Sequence, residues 1–222
     1  DLSDMAVMRS SLLPGLIKTA QHNINRQQAR LKLFEMGLGF RLAAEAQSSG
    51  KVTNSVDQML VQEPLFAGLL YGAKEPESWL VKRASAKDDD GKFSFYDLKG
   101  DVESLLALGL GANAESALTF TPFNEAKELG YLHPGQSAII TYNGQQVGVF
   151  GLLHPKIQQT LDLDVDIWLF ELQLNLISEK KVPEFKELSK FPEVRRDLAV
   201  IVDCDVSAGD VVACAQQAAG SG

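Results

Sequence analysis

The sequence predicts an α+β fold, a sheet with helices packed on it, and three observations carry that prediction. An amphipathic helical stretch leads directly into an alternating strand between Met8 and Phe40. A second helical stretch spans Asp97 to Leu110. Two β-rich runs then meet at Asn143-Gly144, a pair that favours a tight type I′ hairpin turn because both central residues must adopt positive φ.

In the first helix, Leu12, Leu16, Ile17, Ala20, Ile24 and Leu31 recur at spacings that place apolar side chains on one stripe. Lys18, Gln21, Asn25, Gln28 and Arg30 occupy the other face. Ser10 or Ser11 is positioned to cap the first turn, and Pro14 lies early enough to cost little. His22 sits beside polar residues and is expected to be exposed. From Leu31 to Phe40 the pattern alternates, with Leu31, Leu33 and Glu35 on one face and Lys32, Phe34 and Met36 on the other. Two largely apolar faces predict a strand covered on both sides.

Ala43 to Thr53 is small and polar and reads as a loop. Glu63 to Tyr71, closed by Gly72, suits a buried strand. Ala73 to Val81, with Pro76 and Trp79, reads as a turn or short helical piece. Lys87 to Lys92 is a charged loop whose adjacent carboxylates point in different directions, so a solvated turn is expected instead of an ion site. The helix after it starts near Leu98, buries Val102, Leu105, Leu106 and Leu108 to Leu110, and places Asp101 and Glu103 near its positive end. Gly109-Leu110-Gly111 ends it. A phosphate-binding fingerprint would follow a strand and open a helix, the reverse of this order.

Ala117 to Phe123 is a candidate strand ahead of the hairpin. In the return strand, Gly148 and Gly151 predict a bulge or a close neighbour at the backbone. His133 and His154, each before a Pro, flank the hairpin and are expected to have structural or capping roles, since no third metal ligand stands near them. Pro155 to Leu163 reads as a short helix. The acids after it do not make a calcium loop, because Ile167 stands where glycine is needed. Asp166 to Leu176 alternates as a long strand, Ser178 to Lys190 as a charged linker, and Phe191 to Val202 as a loop entering another strand. Ser207 is placed to cap a final helix to Ala219.

The chain has 222 residues, 45% of them hydrophobic, enough for one domain and part of another. A net charge of −8 argues against this piece binding nucleic acid alone, because phosphate contacts need a basic face. Cys204 and Cys214 are expected to be reduced structural thiols. No apolar run reaches the ~20 residues of a membrane span, and no signal-peptide pattern is present, so a cytoplasmic location is expected. The first residue, Asp1, and the Ala-Ala-Gly-Ser-Gly end suggest a piece of a longer protein.

Several separated segments resemble one family. They are Met8 to Leu16 with Asn23 and Leu33-Phe34-Glu35-Met36-Gly37; Phe95 to Gly100; Leu132-His133-Pro134-Gly135 with Ser137-Ala138; Gly148 with Gly151 to Pro155; Phe170-Glu171-Leu172; and Lys190-Phe191-Pro192 with Arg196-Asp197-Leu198. Together, and in this order, they resemble the β chain of bacterial phenylalanyl-tRNA synthetase, and the helix leading into a strand is similar to the first signature segment of class II aminoacyl-tRNA synthetases. The resemblance implies a class II-like antiparallel sheet flanked by helices over residues 1–189, and the truncated start of a ferredoxin-like anticodon-binding domain over residues 190–222. It implies no catalytic, cofactor or metal site in this piece, which lacks the ATP-orienting arginines of the class. ATP and Mg2+ belong to the whole enzyme, on its α subunit, and tRNA is bound through the whole β chain.

By the same resemblance the first helix packs on the α subunit of an α2β2 enzyme, with Arg9, Leu13, Leu16 and Asn23 as candidate contacts. Replacing Leu16 with Asp is then expected to weaken subunit association. An apolar stripe serves equally to cover the helix's own sheet. Two other functions stay open at this point. One is an autonomous class II-type ligase, which ATP-dependent pyrophosphate exchange would reveal. The other is a phenylalanine-sensing regulatory module, which stabilisation by phenylalanine would reveal.

Overall fold

A computed structural model describes residues 7–42, 60–76, 78–79, 91–111, 117–123, 130–178 and 194–219. The elements are α1 (Leu13–Ile24), β1 (Arg30–Leu42), β2 (Leu60–Gly72), α2 (Phe95–Leu110), β3 (Leu118–Pro122), β4 (Leu132–Tyr142), β5 (Gln145–Leu153), α3 (Pro155–Thr160), β6 (Ile167–Gln173), α4 (Leu174–Ile177) and α5 (Ala208–Ala219). The chain divides into two units, residues 1–183 and 184–222.

In the first unit six strands form one antiparallel sheet in the order β1-β2-β6-β5-β4-β3. Its two faces carry separate cores. On one, Leu12, Leu13, Leu16, Ile17 and Ala20 of α1 pack on Leu65, Ala67 and Leu69 of β2, Ile167 and Leu169 of β6, and Val149 of β5. On the other, Leu98, Val102, Leu106 and Leu110 of α2 pack on Ile140, Phe150, Trp168 and Phe170. The Trp168 indole N–H donates to the Phe93 carbonyl at 2.9 Å, so the second core carries its one buried indole donor satisfied.

The hairpin turns as predicted: Asn143 and Gly144 have φ of 50° and 78°, the positive pair that a type I′ turn requires. Gly148 is needed for close approach, because a Cβ there would lie 2.5 Å from Leu172 Cδ2 and 2.6 Å from the Glu171 carbonyl oxygen. β4 and β5 also slip register between Ile140 and Thr141. α2 starts at Phe95, three residues before the expected Leu98, because Ser94 and Asp97 form a capping box that satisfies the first-turn amides. Replacing Ser94 with Ala should lower the stability of the first unit by about 1 kcal/mol, read from its thermal or urea unfolding.

Five expectations need correction. Leu108, expected inside α2, is 85% exposed, because the buried stripe of Leu98, Val102, Leu106 and Leu110 turns it away from the sheet. α1 stops at Ile24, and a turn with Gln27 at φ 63° separates it from β1, so Leu31 belongs to the strand and not to the helical stripe. β1 is covered on one side only: Leu31 and Leu33 are half-buried beside the α1 core, whereas Phe34 is 72% and Met36 60% exposed. The strand expected over Asp166 to Leu176 ends at Gln173, where the chain turns into α4. Residues 194–203 form no strand among the described residues, since a strand requires a neighbour to complete its ladder. The readings for residues 43–53, 77, 80–81, 87–90 and 179–193 lie outside the described residues.

In the second unit Ser207 caps α5 as expected, its Oγ accepting from the Asp210 amide at 3.1 Å. Neither this helix nor residues 194–203 bury a side chain. Both Cys204 and Cys214 are free and exposed.

Candidate subunit interface

α1 is built as a surface helix held from beneath. Its hydrophobic stripe packs inward, and the positions between, Pro14, Gly15, Lys18, Thr19 and His22, face outward. The N-terminus is fixed by a carboxylate from the middle of the sheet. Glu171 Oε1 on β6 accepts from the Leu12 amide at 2.8 Å and from the Ser11 hydroxyl at 2.9 Å, and Ser11 Oγ accepts from the Leu13 amide at 3.1 Å. Three donors at the start of the helix are thereby satisfied, and negative charge lies at the end of the helix that favours it. Burial nevertheless pushes the Glu171 carboxyl above its ordinary range, with the Leu12 amide, Ser11 hydroxyl and Leu13 amide holding it down in part. The neighbouring Tyr131 hydroxyl is pushed up to about 12, first by burial and then by the Glu171 charge.

The other end of α1 is tied by main-chain bonds. The Asn23 carbonyl accepts from the Arg26 amide at 3.0 Å and the Gln28 amide at 3.1 Å, and the Tyr71 hydroxyl donates to the Gln28 carbonyl at 3.0 Å. Midway, the Gln21 side chain donates to the Leu161 carbonyl at 2.9 Å. A helix fixed at both ends and along one flank presents its outer face as a rigid surface.

Of the four residues proposed from sequence, Leu13 and Leu16 lie under this surface, Asn23 lies on it, and Arg9 stands apart from it beside β1. Leu13 is 1% and Leu16 4% exposed; both are spent on the sheet. The Asn23 amide donates to the Thr19 carbonyl at 2.8 Å on the exposed side of the helix. Arg9 stands before the helix, against β1: its Nη1 meets Glu35 Oε1 at 2.6 Å, its Nε donates to the Leu38 carbonyl at 3.1 Å, and its own carbonyl accepts from the Phe40 amide at 2.8 Å. The sequence reading missed the partners Glu35 and Glu171. Each is the lone acid of its strand; Glu171 meets a part-buried amide, and Glu35 meets the half-exposed Arg9 guanidinium.

β1 offers a second exposed surface. Phe34, Met36 and Leu38 line its open side, and a groove of about 480 Å³ runs between Phe34 and α2, floored by Phe66 and Phe170 and walled by Leu105 and Leu108. Lys32 and Asp101 close one end as an ion pair at 3.0 Å. The two histidines act as turn caps: His133 Nδ1 accepts from the Gly135 amide and His154 Nδ1 from the Lys156 amide, at 3.0 and 3.1 Å. Among the described residues no group of three or more His, Cys, Asp or Glu side chains is placed to hold a metal ion, and no helix is long and apolar enough to cross a membrane.

Comparison with known proteins bears on this arrangement. Residues 2–174 match the family model described as the phenylalanyl tRNA synthetase beta chain CLM domain. Proteins named phenylalanine–tRNA ligase beta subunit are similar along nearly the whole chain. That of Pseudomonas fluorescens is 43% identical over 98% of this chain and 24% of its own length, and that of Hahella chejuensis has the same figures. That of Vibrio parahaemolyticus is 39% identical over 97% of this chain and 25% of its own length. The chain therefore spans about a quarter of the length of these relatives. Among solved structures, a pyrrolysyl tRNA synthetase from Desulfitobacterium hafniense aligns over 76% of this chain and 48% of its own, at 9% identity and a TM-score of 0.43. With a family model covering residues 2–174 of the 222, this chain belongs to the family of phenylalanyl-tRNA synthetase β chains, of which it carries the CLM domain.

Proposed function

We propose that this chain is a noncatalytic assembly module of a phenylalanine–tRNA ligase, packing on the catalytic α subunit of an α2β2 enzyme that attaches phenylalanine to its tRNA with ATP. The reading is supported above all by the way α1 is held: clamped by Glu171 at one end and by the Asn23 and Tyr71 bonds at the other, it keeps its outer face open as a preformed docking surface. Arg9 and Asn23 contact the partner directly, and Leu13 and Leu16 support them from below. Residues 1–189 act as the class II-like module and residues 190–222 as the start of a ferredoxin-like domain. The enzyme works in the cytoplasm, and tRNA is engaged through the whole β chain.

Among the described residues, ATP and Mg2+ find no fitting donors. The described residues hold no acid cluster for the metal, and the sheet face beneath α2 carries Phe66, Phe150, Trp168 and Phe170 where phosphates need amides and cations. No chemical step is therefore assigned to this chain, and the autonomous ligase and phenylalanine sensor are not favoured by the family to which it belongs.

The test is sedimentation equilibrium of this chain mixed with the α subunit of a bacterial phenylalanine–tRNA ligase. A defined heteromeric mass is expected; failure to form one removes the docking role. Thr19 is exposed on the outer face of α1, so Thr19→Arg should leave folding unchanged and weaken the complex about tenfold or more. An unchanged affinity would remove the α1 face from the interface.

A further inference from the structure

We propose that His154 is a proton-operated latch: its neutral ring holds the first turn of α3 closed and α3 against the flank of α1, and the protonated ring releases both. His154 supplies every bond that the first turn of α3 requires. Pro155 has no amide to satisfy, the His154 ring Nδ1 accepts from the Lys156 amide at 3.1 Å, and the His154 carbonyl accepts from the Ile157 and Gln158 amides at 2.9 and 3.1 Å. Its own amide donates to the Tyr131 carbonyl at 2.9 Å, which fixes the residue to the end of the sheet. A helix of six residues has little stability of its own, so α3 depends on this cap and on its packing.

Only one charge state of the ring can serve as the cap. Nδ1 accepts when the ring is neutral with its hydrogen on Nε2, whereas the imidazolium carries hydrogens on both nitrogens. The added proton sets Nδ1–H against the Lys156 N–H, two donors at 3.1 Å, and places positive charge at the end of the helix that disfavours it. The titratable groups on the adjoining elements are Lys156 on α3, Tyr131 and His133 on β4, Lys18 and His22 on α1, and Asp162 past the far end of α3. Among the described residues no carboxylate pairs with the ring. The consequence reaches α1, because Ile157, Leu161 and Val165 pack on the core beneath it and the Leu161 carbonyl accepts from the Gln21 side chain at 2.9 Å. Opening α3 frees this flank tie and leaves α1 held at its two ends. Acid then loosens the docking face, a consequence that rests on the docking role proposed above; the latch itself does not.

NMR of the full 222-residue chain alone, titrated from about pH 8 to about pH 5, the range in which histidine changes charge, tests the latch. At the upper end the ring nitrogen shifts of His154 should report hydrogen on Nε2 and none on Nδ1. Amide exchange, corrected for its intrinsic pH dependence, should show the protection of α3 falling about five- to tenfold across the titration, with the Gln21 side-chain amide losing its bonded shift in the same step. His154→Asn offers an oxygen that caps and does not take up a proton in this range, so its α3 protection should stay flat. A hydrogen on Nδ1 at the upper end, a flat profile in the wild-type chain, an equal fall in His154→Asn, or an unmoved Gln21 amide each overturns the proposal. The α subunit is absent from this measurement, so the two readings fail separately. A flat profile in a chain that still forms the heteromer removes the latch alone, and a proton-dependent profile in a chain that ignores the α subunit removes the docking role alone.

Discussion

Replacing Leu16 with Asp is expected to destabilise the first unit by roughly 3–5 kcal/mol, and a Leu16→Ala control by roughly 2–4 kcal/mol. Leu16 is 4% exposed and lies in the core shared by α1, β2 and β6, among Leu13, Leu65, Ala67 and Leu169. No cation is among those neighbours, so an aspartate would either remain charged without a partner or take up a proton, and both cost stability. Any loss of subunit association in this variant would therefore arise from a loosened α1. Urea unfolding of the chain alone separates the two causes. A large drop in midpoint without any partner present locates the effect in the fold, and an unchanged midpoint would mean that Leu16 is not packed as described.

That distinction marks where the sequence was readable. The stripe of Leu12, Leu16, Ile17 and Ala20 identified a helix with one apolar face, and the hairpin at Asn143-Gly144 was legible because a local turn requirement fixes it. Periodicity does not say whether an apolar stripe meets its own sheet or a partner, because both bury it equally well. Leu13 and Leu16 were for that reason legible as apolar and illegible as core. β1 shows the opposite ambiguity: apolar residues on both faces read as a doubly covered strand, and only the strand order reveals an edge with Phe34 and Met36 in solvent. Helix ends depended on side chains distant in sequence. Ser11 was a plausible cap, but the group that holds it, Glu171, lies 160 residues away.

Replacing Glu171 with Ala should cost about 2–3 kcal/mol, because it leaves the Ser11 hydroxyl and the Leu12 amide, both partly buried, without their acceptor. Glu171→Gln retains one acceptor oxygen and should cost less. The pH dependence follows from the direction of the shift. Burial raises the Glu171 carboxyl above its ordinary 4.5, so the folded chain holds this proton more tightly than the unfolded one. Its contribution to stability is fully present below 4.5 and declines as pH rises through the higher value it has in the fold. The neutral glutamine does not titrate, so the stability advantage of the wild-type chain over Glu171→Gln should be largest in acid and shrink toward neutral pH. Urea unfolding of both chains at a series of pH values measures that difference directly. An advantage that grows with pH would mean that the Leu12 and Ser11 bonds to the charged carboxylate outweigh its burial, and that α1 is held by an ion at its N-terminus more firmly than the depth of Glu171 suggests.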